Sequence, residues 1–401
     1  MKKKKIGLIP KLIFGIVVGI LIGKFAPEII IEILLTVSGL FSAFLKFVIP
    51  FIIIAFVTAG IADLSSDAGK LLGITAGLSY GSTILAGLTA FFVAKSLFPK
   101  FIHTASLGKT LSMDEGALSP IFSIPLEPMV DVTAAIVFAF LMGIGISYLR
   151  SMNKGQALYE CFMGFQEIIV RVLEKVVIPF LPLYIAGTFA NIAYTGTVGK
   201  ILNIFWKVYC VIIPLHFLWI AVQFAVAGAV SGKNPVKMIK NQIPGWLTAL
   251  GTQSSAATIP VNVECAKANG VSKTIREFVV PLGATIHLSG SMISITCCSM
   301  AVLMMQGKPT GMNIILPFIA MLGIAMVAAP GAPGGAIMSA LPFLPMVGIP
   351  SDGGLGSLMI ALYITQDSLG TACNVSGDNA IAVIIDRLNY NRNSIPQKQK
   401  G

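Results

Sequence analysis

The sequence predicts an all-α integral membrane protein with eight transmembrane helices and two re-entrant helical hairpins. Three observations carry that expectation. The chain of 401 residues is 55% hydrophobic and 11% charged, with a mean hydropathy of +0.86. Soluble domains carry roughly 25% charged residues. Apolar runs long enough to cross a bilayer recur from end to end. Two further apolar stretches, near 241–266 and 313–347, are interrupted at their centres by residues that break helices.

Taken in order, span 1 covers 6–25. Lys2–Lys5 precede it, but no small-residue cleavage site follows, and Lys24-Phe25-Ala26-Pro27 reads as a span terminus rather than the end of a signal peptide. Spans 2, 3 and 4 cover 33–61, 71–99 and 130–150. Span 5, 157–193, carries Glu167, Arg171, Glu174 and Lys175 as a charged stripe at helical spacing, suited to intrahelical pairing or a subunit contact. Span 6 covers 199–230. The first hairpin follows, its polar centre Thr252-Gln253-Ser254-Ser255 making a tip between Pro244 and Pro260. Span 7 covers 273–305, with an apolar methionine-rich stretch at Met300–Met305. In the second hairpin, Ala328-Ala-Pro-Gly-Ala-Pro-Gly-Gly-Ala336 forces non-helical backbone. Backbone of that kind is tolerated at membrane depth only where it lines a protein-buried or wet cavity. Span 8 covers 354–385.

The net charge of +11 does not point to nucleic acid, because the basic residues sit at membrane boundaries. Lys2–Lys5, Arg150/Lys154, Lys233/Lys237/Lys240, Lys267/Lys273/Arg276 and Arg387/Arg392 alternate with poorer loops, which places both termini in the cytoplasm. The outer loops are short, which leaves no soluble enzymatic domain. The six cysteines lack metal-site spacing and read as reduced, buried thiols.

Span 8 holds the main lead to function. Asp367, Thr371, Asn374 and Asp378 fall at i, i+4, i+7 and i+11, one face of a helix. A carboxylate at bilayer depth costs roughly 2.5–3.5 kcal/mol, so both aspartates need partners. A metal ion, a proton or a substrate ammonium would serve; hydrogen bonding between packed helices is the structural alternative. His287-Leu-Ser-Gly-Ser291 after the first hairpin is echoed by Asn374-Val-Ser-Gly-Asp378 after the second. Glycine and serine there let a helix unwind, and the echo with the paired breaks suggests an inverted repeat.

These pieces resemble the dicarboxylate/amino acid:cation symporter family, the glutamate-transporter homologues. The similarity covers essentially the whole chain. It rests on Thr252-Gln-Ser-Ser-Ala-Ala-Thr-Ile-Pro260, Pro281-Leu-Gly-Ala-Thr-Ile286, Gly331-Ala-Pro-Gly-Gly-Ala-Ile337 and Asn374-Val-Ser-Gly-Asp378. The resemblance implies an elevator-type homotrimer in the inner (plasma) membrane, contacting lipid, and no enzyme. A scaffold would comprise 1–65 and 111–196, a transport domain 66–110 and 197–387, and a cytoplasmic tail 388–401. Hairpin 1 would span about 235–267 and hairpin 2, the extracellular gate, about 312–348. Ser254 and Ser255 of the first tip and Gly331, Ala332 and Pro333 of the second would hold a substrate carboxylate. Asp367 would take the substrate ammonium, Asn374 its carboxylate, and Ser291, Gly370 and Thr371 would line the site. Asp378, Asn374 and carbonyls near Gly283 would bind one Na+, and carbonyls around Thr285 and Val327–Ala329 a second.

Four departures from the family pattern are informative. Gly370 stands where acidic-substrate members place an arginine, and Gln253 where others supply one from the first tip. Tyr363 replaces an aspartate one turn before Asp367, and His287-Leu-Ser-Gly-Ser291 replaces Asn-Met-Asp-Gly-Thr. A second substrate carboxylate without a guanidinium would be a costly buried charge. Gly370 therefore argues for a small neutral amino acid of the serine/threonine/alanine kind, and is expected to leave space for a larger side chain. Losing two span 7 ligands at His287 and Ser289 weakens a third sodium site, to which Tyr80, Ser82 and Thr83 stand close. His287 either donates a structural hydrogen bond or carries H+ in place of a metal ion. Competing readings are an acidic amino acid or dicarboxylate symporter, a passive channel, and an intramembrane hydrolase. The last is disfavoured because an 11-residue helical separation puts Asp367 and Asp378 about 16 Å apart.

Overall fold

The computed structural model describes residues 8–64, 69–102, 118–130, 132–196, 198–326, 329 and 333–393; among them there is no β-strand. Stretches Glu28–Ala59, Leu71–Lys100, Val198–Ser231 and Lys273–Met305 are long and apolar enough, by length and composition, to cross a membrane. Shorter apolar helices cover Val137–Ser151, Met312–Met326, Gly335–Val347 and Gly353–Ile364.

The N-terminal elements are α1 (Leu8–Phe25), α2 (Glu28–Leu64), α3 (Gly69–Leu97), α4 (Val132–Ser151), α5 (Gln156–Val172) and α6 (Ile178–Tyr194). Helices α5 and α6 run on through a π turn at Leu173–Val177. Pro179 has no N–H for the carbonyl four residues earlier, and a wider turn absorbs the missing bond. Helix α1 lies hard against α6, and α2 against α4. Gly15, Gly19 and Gly23, spaced by four, face the backbones of Pro182, Ala186 and Ala190. A Cβ on Gly19 would stand 2.9 Å from Ala186 Cα, so the glycines set the approach of the two helices.

The C-terminal elements surround α15 (Asp367–Asn393), which packs on α7 (Val198–Ser231), α8 (Pro235–Thr252), α9 (Ser255–Ala268), α10 (Lys273–Ile286) and α11 (Ser289–Met305). The first tip forms where the sequence predicts it. Asn234 caps α8 through bonds from the N–H groups of Val236 (2.9 Å) and Lys237 (3.2 Å). Gln253 turns the chain with φ 55°, and the Ser254 side chain caps α9 by accepting from Ala257 N at 3.2 Å. A ladder of buried amides then fastens this helix pair to α15. Gln242 donates to Asn262 Oδ1 (2.9 Å), Asn262 donates to the Val375 carbonyl (2.9 Å), and Asn379 donates to Gln242 Oε1. Asn269 joins the ladder by donating to Asn379 Oδ1 at 3.4 Å.

Spans 7 and 8 are each broken, and not where the sequence echo suggests for span 8. The span 7 break falls on His287 and Leu288, between α10 and α11. In span 8, α14 (Gly353–Ile364) ends two residues before α15 begins, while Asn374–Asp378 stays helical. Ser376 bonds back to the Ala372 carbonyl at 2.7 Å, within the helix. Gly377 serves close packing instead of unwinding, because a Cβ there would run into Gln223 and His287. The second interrupted segment comprises α12 (Met312–Met326), α13 (Gly335–Ala340) and a 3₁₀ stretch at Leu341–Val347. Gly334 turns into α13 with φ 76°.

Candidate functional site

Asp367 begins α15 and is 3% exposed. A carboxylate in the first helical turn faces unpaired backbone N–H groups and the positive end of the helix dipole. Its Oδ2 accepts from Gly334 N at 2.9 Å, and its Oδ1 accepts from the Tyr363 hydroxyl at 2.7 Å. Thr371 follows one helical turn on, on the same face of α15. Tyr363 Oη lies 3.0 Å from Ser291 Oγ as well. The phenol has one proton, which the acceptor-only carboxylate takes, so Ser291 donates to the phenol oxygen.

The chain of bonds continues to Asn374, whose Nδ2 donates to Ser291 Oγ at 2.9 Å. Its Oδ1 accepts from Gly290 N (2.7 Å) and Ser291 N (3.2 Å). Leu288, at the N-cap of α11, provides no side-chain cap, so Asn374 caps that helix from a neighbouring one. One N–H of its amide stays available to a ligand, whereas its side-chain oxygen already serves two backbone donors.

Asp378, 1% exposed, lies further along α15. Its Oδ1 accepts from His287 Nδ1 at 3.0 Å. His287 Nε2 lies 3.0 Å from Ser82 Oγ and 3.4 Å from Gln223 Nε2. Gln223 in turn donates to Ser82 Oγ and to Ser289 Oγ, each at 3.2 Å. A Cβ at Gly283 would stand 2.9 Å from Asp378 Oδ1, so only glycine lets α10 come this close to the carboxylate. Asp378 Oδ2 is buried and, among the described residues, has no hydrogen-bond partner. A buried anion with one open oxygen fits a cation ligand. Among the described residues no three His, Cys, Asp or Glu gather. Apart from the His287 imidazole, the groups around both aspartates are carboxylate, hydroxyl and amide groups, which suit a hard cation.

Of the residues singled out in the sequence, Asp367, Thr371, Asn374, Ser291 and the residue after Pro333 meet in one layer, and Asp378, His287 and Gly283 in the other. Ser254 and Ser255 begin α9, which packs on α15. Thr285 is exposed on α10, its hydroxyl bonded to the Leu282 carbonyl at 2.8 Å, and Ala329 is buried. Val327, Gly331 and Ala332 lie outside the described residues. Gly370 is not the open space expected of it: a Cβ there would already touch Ser294 Oγ at 3.4 Å and the Gly290 backbone at 3.6 Å. His216 and Gln223 carry no signal in the sequence beyond being polar in apolar spans, and Gln366 enters only through the run Gln366-Asp367-Ser368, which resembles the serine/threonine symporter branch. His216 Nε2 lies 3.0 Å from the Gly290 carbonyl, and Ser294 donates to Gln366 Oε1 at 3.0 Å.

Apolar helices of membrane length, gathered around a buried seam of carboxylates and neutral polar groups, define an integral membrane protein of the transporter class. A profile of the Sodium:dicarboxylate symporter family matches residues 8–388. The chain belongs to that family. It is 30% identical over 264 residues to excitatory amino acid transporter 1 of Ambystoma tigrinum, covering 65% of this chain and 47% of the relative. It is 26% identical over 321 residues to the serine/threonine transporter SstT of Acinetobacter baylyi, covering 76% of this chain and 78% of that one. Human excitatory amino acid transporter 2 is 27% identical over 258 residues, covering 63% of this chain and 44% of the relative. The chain thus spans about half the length of the excitatory amino acid transporters it matches.

Proposed function

We propose that the protein is a secondary active transporter that carries small neutral amino acids, of the serine, threonine or alanine kind, coupled to sodium. One observation carries the choice of substrate. Among the described residues the Asp367 carboxylate is held by the neutral donors of Gly334 and Tyr363, and the position where an arginine would stand is Gly370, packed on α11. One carboxylate answers one ammonium, and the remaining N–H of Asn374 and the tip backbones at Ser254, Ser255 and Gly331–Pro333 answer one carboxylate. A second carboxylate on the substrate would be buried without compensation.

In this reading eight spans and two re-entrant hairpins cross the membrane with both termini cytoplasmic. Residues 1–65 and 111–196 form a trimeric scaffold, and 66–110 and 197–387 a domain that moves as an elevator, with hairpin 2 as gate. Sodium binds at Asp378, with a second ion at carbonyls around Thr285 and 327–329. The serine/threonine transporter among the relatives favours the neutral substrate, and the excitatory amino acid transporters the acidic alternative. Competition by serine, alanine, threonine, aspartate and glutamate against labelled serine, in proteoliposomes with a sodium gradient, separates them. Displacement by aspartate and glutamate ahead of the neutral amino acids overturns the proposal.

A further inference from the structure

Four elements meet at His287: α3 through Ser82, α7 through Gln223, the start of α11 through Ser289, and α15 through Asp378. Asp378 accepts, so His287 Nδ1 carries the proton that it donates. The other ring nitrogen lies 3.0 Å from the Ser82 hydroxyl oxygen. The two N–H groups of Gln223 go to Ser82 Oγ and Ser289 Oγ, both at 3.2 Å. Both N–H groups of the carboxamide and the Nδ1 proton of the imidazole thus have acceptors, while Gln223 Oε1 is buried and, among the described residues, has no hydrogen-bond partner. The Asp378 carboxylate likewise keeps one oxygen, Oδ2, without a partner among the described residues.

We infer that His287 is a positioning residue: it holds Asp378 by one oxygen so that the other faces a sodium ion. Cation sites need oxygens with free lone pairs directed at one point and, in a dry interior, negative charge. Asp378 Oδ2 supplies both. Gly377 secures the arrangement, since a Cβ there would come within 2.5 Å of Gln223 Nε2. The inference rests on the sodium-symporter reading and deepens it.

The test uses purified full-length protein without any amino acid, titrated with sodium chloride against choline chloride at constant ionic strength. Tryptophan fluorescence is the readout, Trp219 lying one helical turn before Gln223 on α7. The wild type is expected to respond to sodium, and Asp378→Asn to lose the response. Loss of a partner that orients a metal ligand weakens metal affinity by roughly 10–100-fold. His287→Ala is expected to raise the sodium dissociation constant within that range. Gln223→Ala supplies the same readout from α7 should the histidine variant fail to fold. Unchanged sodium affinity in both His287→Ala and Gln223→Ala overturns the inference. No wild-type sodium response at all overturns sodium coupling itself. A wrong assignment of the amino acid leaves every arm of this titration untouched.

Discussion

The backbone N–H of Gly334 donates to Asp367 Oδ2 across 2.9 Å, tying the turn before α13 to the carboxylate that opens α15. The carboxylate is thus oriented by two donors, and the turn at Gly334 is attached to the anion that the proposed function pairs with a substrate ammonium.

Asp367→Asn is expected to weaken binding of labelled serine by two orders of magnitude or more, since truncating one partner of a buried charge pair costs about 2–5 kcal/mol. The amide still offers an acceptor, so the melting temperature in detergent is expected to fall only slightly. Unchanged serine binding would remove Asp367 from the ammonium role.

Tyr363→Phe takes away the 2.7 Å bond to Asp367 and the acceptor that Ser291 uses. Leaving a buried polar group unpaired costs about 1–3 kcal/mol. Serine affinity is expected to drop roughly tenfold, with a lower melting temperature in the substrate-free protein. Isothermal titration and a thermal melt on the same preparation read both.

The α11–α15 contact predicts an asymmetry between two glycines. A Cβ at Gly370 makes ordinary contacts at 3.4 and 3.6 Å, whereas one at Gly290 would stand 2.6 Å from Cys373 Cβ. Gly370→Ala is therefore expected to fold and keep its serine binding. Gly290→Ala is expected to lose about 1–3 kcal/mol through overpacking. Equal melting temperatures for the two variants would contradict the packing described.

A second pair of glycines tests α1 against α6. Gly19→Ala pushes a methyl group into the Ala186 backbone and is expected to lower the melting temperature. At Gly39, inside α2, an added methyl group would meet nothing within 4 Å. Gly39→Ala is expected to be neutral or to gain up to about 1 kcal/mol from helix propensity.

Much of the site could be read from the chain because its information is local. Asp367, Thr371, Asn374 and Asp378 share a face through helical spacing alone, and Gln253 sits at a tip flanked by capping residues. What could not be read depends on distant partners. The break at His287–Leu288 is sustained by Asn374 capping α11 from another helix, and no local signal announces that. Gln223 is one amide in an apolar span until α3, α11 and α15 close around it. Gly370 and Gly377 suggest room and unwinding in one dimension; in three, each marks a place where another chain segment comes close. The unwinding expected in span 7 falls within His287–Ser291, whereas in span 8 it falls before Asp367 and not at Asn374–Asp378.

The amide ladder of Gln242, Asn262, Asn269 and Asn379 has a kinetic consequence. Opening α8 and α9 away from α15 would strand several buried amides at once, each costing about 1–3 kcal/mol. Backbone deuterium uptake in these three helices should therefore proceed at a common slow rate, as one cooperative unit. The turn at Gly334, attached to α15 through the Asp367 carboxylate, should exchange on a separate and faster clock that slows when an amino acid binds.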